Sequence, residues 1–148
     1  MTRKQFHSDK QLEPETPEIV LIYDRECPAC DNYCQVVRIR ESVGQLRILN
    51  AREDSPELSE ITAAGLDIDD GMVLKVGAQL YYGADAIHAL AMMSSKRGWF
   101  NRLNHLIFRS RRLSRWLYPV LVRCRLVLLK LLRKSRINNL QLPNRSRF

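Results

Sequence analysis

An α/β fold, with a central sheet flanked by helices and a basic helical C-terminal extension, is what this sequence predicts. Three observations lead there. A short apolar, β-branched run, Glu18 to Tyr23, stops at a turn and passes directly into a helical pattern. Further strand and helix signals then alternate, as in layered α/β domains. After Gly98 the chain turns into basic amphipathic helix, with fifteen Arg or Lys and no Asp or Glu from Lys96 to Phe148.

The 148 residues, 45% hydrophobic and 27% charged, suit one soluble domain with a genuine core and appendages. Residues 1–17 are polar and carry Pro14 and Pro17, so they are expected to form a flexible tail. They contain no apolar run for an export signal, which points to the cytoplasm. Residues 18–95 read as the folded core. Its first strand, Glu18 to Tyr23, has no polar alternation, the mark of a strand buried on both faces. A helix starts at Pro28, since Cys30, Tyr33, Cys34 and Val37 recur at helical spacing, and runs to about Ser42 with Gly44 as its stop. Leu46 to Leu49 is a second strand. Ser55 caps a second helix that closes near Gly65. Gly71 to Val76 and Gln79 to Tyr82, joined by Gly77-Ala78, form a hairpin. Gly83-Ala84-Asp85 opens a third helix through Leu90 and Met93. Strand, helix, strand, helix, strand, strand, helix, with Cys-x-x-Cys after the first strand, is a thioredoxin-like layout.

Four cysteines are too few and too unevenly placed for a disulfide framework. Cys27, Cys30 and Cys34 fall within eight residues, and in a chain without an export signal such spacing points to redox or metal chemistry. A cysteine at a helix N-terminus is favoured as thiolate by unpaired N–H groups and the helix dipole. Spacing of three sets the second sulfur one turn away, within reach of a mixed disulfide. Cys27 is thus expected to be the attacking nucleophile and Cys30 the more buried resolving thiol. Asp24, three residues before Cys27, has two compatible roles: accepting N–H bonds of the turn, or taking the Cys30 proton. Half a zinc site is the rival reading, but Cys34, His88, His105 and Cys124 lack a recognisable ligand spacing. No metal and no cofactor is therefore expected. Cys34 and Cys124 are read as packing residues.

Tyr23-Asp24-x-x-Cys27-x-x-Cys30 resembles the DCC thiol-disulfide oxidoreductase family, named for its Asp-x-x-Cys-x-x-Cys signature. Gly83-Ala84-Asp85-Ala86 is similar to that family's Gly-x-Asp-Ala helix start, and Tyr118 to Arg125 to its C-terminal Tyr…Arg helix. The resemblance spans roughly Val20 to Leu126. It implies a thioredoxin-like fold, disulfide oxidoreductase activity, and Asp24, Cys27 and Cys30 as the functional positions. Arg25 stands where the family usually has Gly, and Cys124 where it has Asn. No proline precedes the Met72 strand, where thioredoxins carry one beside the dithiol.

Residues 96–136 are expected to form the basic extension: one amphipathic helix from Trp99 to Phe108, a link at Arg109 to Arg112, and a longer helix from about Ser114 to Arg136. Residues 137–148 are read as a second flexible tail. On a helical wheel Arg123, Lys130 and Lys134 cluster, while Arg125 and Arg136 fall on nearly the opposite side. The apolar side is expected to cover the core while the basic stems reach outward. The alternative is an interfacial helix on anionic membrane. Nucleic acid is disfavoured, since no recognised binding motif is present and the apolar face is too continuous for a free basic arm. The expected activity is thiol-disulfide exchange, as a protein-disulfide reductase or in the oxidising direction, with a protein disulfide and a separate reductant as partners; a redox-inert adaptor is a further alternative.

Overall fold

The structure, a computed structural model, describes residues 17–37, 44–95 and 98–143. Its sheet has four strands: β1 (Ile19–Tyr23), β2 (Leu46–Asn50), β3 (Val73–Val76) and β4 (Gln79–Tyr82), in the order β2-β1-β3-β4. β1 runs parallel to β2, with Leu21 opposite Ile48, and antiparallel to β3, with Leu21 opposite Leu74. Every residue of β1 is buried, as its unbroken apolar run requires. Alternation divides them between two layers. Ile19, Leu21 and Tyr23 meet Cys34, Leu74, Ala86 and Leu90 on one side, while Val20 and Ile22 meet Ala51, Ile61 and Ile68 on the other.

The parallel β1–β2 pair needs a crossover, and α1 (Pro28–Val36) lies within it. α1 ends where Val37 turns extended; the expected reach to Ser42 falls on 38–43, outside the described residues. α2 (Pro56–Ala63) starts as expected, with Ser55 Oγ accepting the Leu58 N–H at 3.1 Å. The hairpin turns at Gly77, whose positive φ of 58° suits glycine. α3 (Ala84–Met93) and α4 (Trp99–Phe108) also fall where the apolar periodicity puts them.

α5 (Arg111–Leu131) is displaced relative to the sequence reading. It begins three residues early because Ser110 is its cap and the buried Ser114 hydroxyl donates to Phe108 O and Ser110 O. It stops five residues early, and Arg133 just beyond has a positive φ of 54°. α5 packs on α3 and α4 through Leu117, Tyr118, Ile87, Ala91 and Phe108. Ile137 to Asn139, assigned to a tail by sequence, are tied to the core. Buried Asp69 accepts the N–H groups of Ile137 and Asn138 at 3.0 and 2.8 Å, and Asn139 donates to Leu66 O.

Tyr118 locks the extension to the sheet end. Its hydroxyl accepts the Met72 N–H at 3.0 Å. A Cβ on Gly83 would come within 3.2 Å of its ring, and one on Gly71 within 3.1 Å of its oxygen. The stretches Gly83-Ala84-Asp85-Ala86 and Tyr118 to Arg125 thus touch one another; Asp85 also pairs with Arg111 at 3.0 Å.

Candidate active site

The chain leaves β1 at Asp24, turns through Arg25 and Glu26, and enters α1 with Cys27 as N-cap. Arg25, standing where a glycine was expected, makes this turn without a positive φ. Cys27 Sγ accepts the Cys30 N–H at 3.3 Å, so the sulfur fills the role a Ser or Asp oxygen plays at other caps. Pro28 fills the first turn. Both cysteines are free thiols.

The two sulfurs differ sharply in acidity. Cys27 is lowered from 9.0 to about 6 by the Cys30 thiol, then by the N–H groups of Cys30 and Ala29 and the charge of Arg125, against the opposing effect of burial. Cys30 moves the other way, raised by its bond to Cys27, by burial and by the Cys27 charge. One proton is thus shared by the pair, and the thiolate belongs to Cys27.

Accessibility does not follow the expectation. Cys27, read as the exposed nucleophile, has no accessible surface, whereas Cys30 is partly open. Cys30 borders a cavity of about 370 Å³ that is also lined by α4 and α5. The cavity is walled by apolar side chains including Phe100, Leu103, Ile107 and Leu121. Asn104 lies on this wall, buried, its Oδ1 accepting the Tyr33 hydroxyl at 2.8 Å and its Nδ2 without a partner among the described residues.

Asp24 and Cys30 line the same cavity and the Cys27 N–H donates to Asp24 O at 3.3 Å, but Asp24 has company that sequence spacing conceals. Its side chain is fully buried and clamped by Arg52, with Nε at 2.7 Å from Oδ1 and Nη2 at 3.0 Å from Oδ2. Arg125 of α5 reaches Oδ2 at 3.1 Å and also donates to Asp69 O. The Glu26 N–H adds a turn bond at 3.0 Å. Burial alone would raise the Asp24 pKa; Arg52, the Glu26 N–H and Arg125 outweigh it and hold the carboxyl below its usual range. Asp24 is therefore an ionised anchor between two guanidinium groups and a weak base. Only Arg125 left a sequence signal, by facing away from Arg123, Lys130 and Lys134 on the helical wheel.

Cys34 packs in the core as expected, its thiol pushed up by burial. Cys124 differs from the packing reading: it is exposed, on the cavity side of α5. Among the described residues no group of three or more His, Cys, Asp and Glu could hold a metal ion. No described helix is long and apolar enough to cross a membrane.

No curated protein and no solved structure matches the chain significantly. A family model described as DCC1-like thiol-disulfide oxidoreductase matches residues 21–131, three quarters of the chain and every element around the dithiol. With the capped Cys-x-x-Cys, three whole strands, most of β1 and all of α4 and α5 inside that match, the chain belongs to the DCC1-like thiol-disulfide oxidoreductase family.

Proposed function

We propose that the chain is a protein-disulfide reductase in which Cys27 attacks and Cys30 resolves. The observation that carries this is the geometry of the pair: Cys27 caps α1 with its Sγ accepting the Cys30 N–H at 3.3 Å, a place that favours thiolate on Cys27, and Cys30 follows one turn on with its own thiol pushed up. The Cys27 thiolate adds to one sulfur of a substrate disulfide, and the substrate's second sulfur leaves as thiolate. Cys30 then loses its proton and attacks Cys27 Sγ, which frees the reduced substrate and leaves a Cys27–Cys30 disulfide. A thiol reductant of the cell returns two electrons and restores the dithiol. Because Cys27 presents no surface, attack follows a local opening of the turn around exposed Arg25, Pro28 and Ala29.

Asp24 is a positioning residue in this reading. It holds Arg125 beside the dithiol, where the guanidinium charge favours the Cys27 thiolate. The cavity beside Cys30 suits an apolar side chain flanking the substrate disulfide, with Asn104 Nδ2 donating to a peptide carbonyl. The Met72 N–H, already taken by Tyr118, cannot hold the substrate.

Trapping tests the reading. Cys30→Ser should accumulate a mixed disulfide through Cys27, and Cys27→Ser should be inactive on insulin. Asn104→Leu should raise KM for a protein disulfide while leaving reduction of a small aromatic disulfide unchanged. A Cys27→Ser variant that still turns over would defeat the assignment; a wild-type protein that never forms mixed disulfides would leave the adaptor alternative standing.

A further inference from the structure

The extension packs on the core with one side only. Ser114, Tyr118, Arg125 and Leu129 face inward or lie half-buried, yet the opposite side is not polar throughout. Trp116, Val120, Val127 and Leu131 recur at spacings of four and seven on one exposed strip of α5, Trp116 at 73% and Leu131 at 75% exposure. α4 adds Trp99 and Leu106, at 77% and 63%. Leu103 of α4 and Leu121 of α5, both exposed, line the same cavity, so exposed apolar side chains run from one helix to the other across its rim. Arg112, Arg123 and Lys130 form the neighbouring exposed line of α5, and 86–148 hold no acidic residue.

We propose that this α4–α5 face docks on the surface of an anionic lipid bilayer. Exposed aliphatic and indole side chains in such density are unusual on a monomer and mark a covered surface. Their chemistry selects the cover. Indole rings sit at the headgroup level, aliphatic side chains enter the acyl boundary, and arginine and lysine meet lipid phosphate. A nucleic acid would use the basic line and the indoles but leave Val127 and Leu131 in water. α5 lies in the interface plane rather than crossing it, since charges interrupt its apolar run. Docking brings the mouth of the cavity, and Cys30 behind it, to the bilayer surface.

The two tryptophans of the chain, Trp99 and Trp116, both lie on this face and report on it directly. Full-length protein is to be mixed with phosphatidylcholine vesicles, with and without phosphatidylglycerol, and followed by sedimentation and tryptophan emission. With anionic lipid the protein should sediment and its emission shift to the blue, both reversed by salt. Arg112→Gln/Arg123→Gln/Lys130→Gln should weaken binding roughly 100-fold, at about 1 kcal/mol per basic residue. Trp116→Ser/Leu131→Ser should weaken it at least tenfold. All these side chains are exposed and outside the dithiol site, so reduction of a small disulfide in solution should be unchanged in every variant. Absent binding, or equal binding to neutral vesicles, overturns the proposal. So does a homodimer that Trp116→Ser dissociates, or RNA binding that survives Trp116→Ser/Leu131→Ser. The dithiol assignment stands or falls separately, on the trapping experiment.

Discussion

Asp24 has no free rotamer to explore: two guanidinium groups and a backbone N–H fix both its oxygens. Its removal therefore has two separable consequences. Asp24→Asn leaves Arg52 and Arg125 without their counter-charge and should cost on the order of 3 kcal/mol of stability, seen in urea melts. It should also make Cys27 more acidic, because the Arg125 charge is no longer balanced. Arg125→Leu should move Cys27 back towards 9.0, and Arg125→Lys should restore part of the effect. Alkylation rates across pH read both directions, and a higher Cys27 pKa in Asp24→Asn would show that Asp24 acts by holding Arg125 in place more than by balancing its charge. In the wild type the same profile should break near pH 6, with tenfold slower alkylation for each pH unit below it. The dithiol and Asp24 were legible because their spacing is local. Arg52 and Arg125 were not, since 28 and 101 residues separate them from Asp24 and no periodicity links such positions.

Among elements, strands and short helices follow closely from apolar spacing and turn chemistry, because each is decided within a few residues. The long helix does not. Ser110 to Arg112 read as a basic link, yet the Ser110 cap and the buried Ser114 hydroxyl recruit Arg111 and Arg112 into α5. Tyr118 is the element's anchor, and its hydroxyl receives an N–H that no strand neighbour takes. Tyr118→Phe should leave the Met72 N–H unpaired and cost about 1–3 kcal/mol, lowering Tm by about 2–4 °C per kcal/mol. A calorimetric Tm equal to wild type would show that water replaces the phenol. The same reasoning explains why 137–139 read as a tail: two Asn and an Ile carry no pattern, and it is the distant carboxylate of Asp69 that gives the Ile137 and Asn138 N–H groups a destination.

At the scale of the molecule, the unequal halves seen in the charge distribution become two layers of function, a redox core and a basic helical cover joined at Arg125. The thiolate at that junction also dictates how the dithiol behaves as an electron carrier. Reduction of the Cys27–Cys30 disulfide takes up two electrons. Below about pH 6 both sulfurs also take a proton, and the midpoint potential should fall about 60 mV per pH unit. Above it Cys27 stays ionised, one proton is bound, and the slope should halve to about 30 mV. Because the folded Cys27 pKa is depressed, the stability it gives the reduced fold is absent below about pH 6 and grows as pH rises towards 9.0. At pH 7 that preference is on the order of 1.4 kcal/mol, which moves the potential about 30 mV in the oxidising direction. Equilibration with glutathione from pH 5 to 8 reads the break directly, and an unbroken slope of about 60 mV would mean that both sulfurs stay protonated to pH 8 and that no thiolate forms in that range. A proton held or released at a single helix cap thus becomes an electrical quantity, and the cell's acidity a voltage setting for this enzyme.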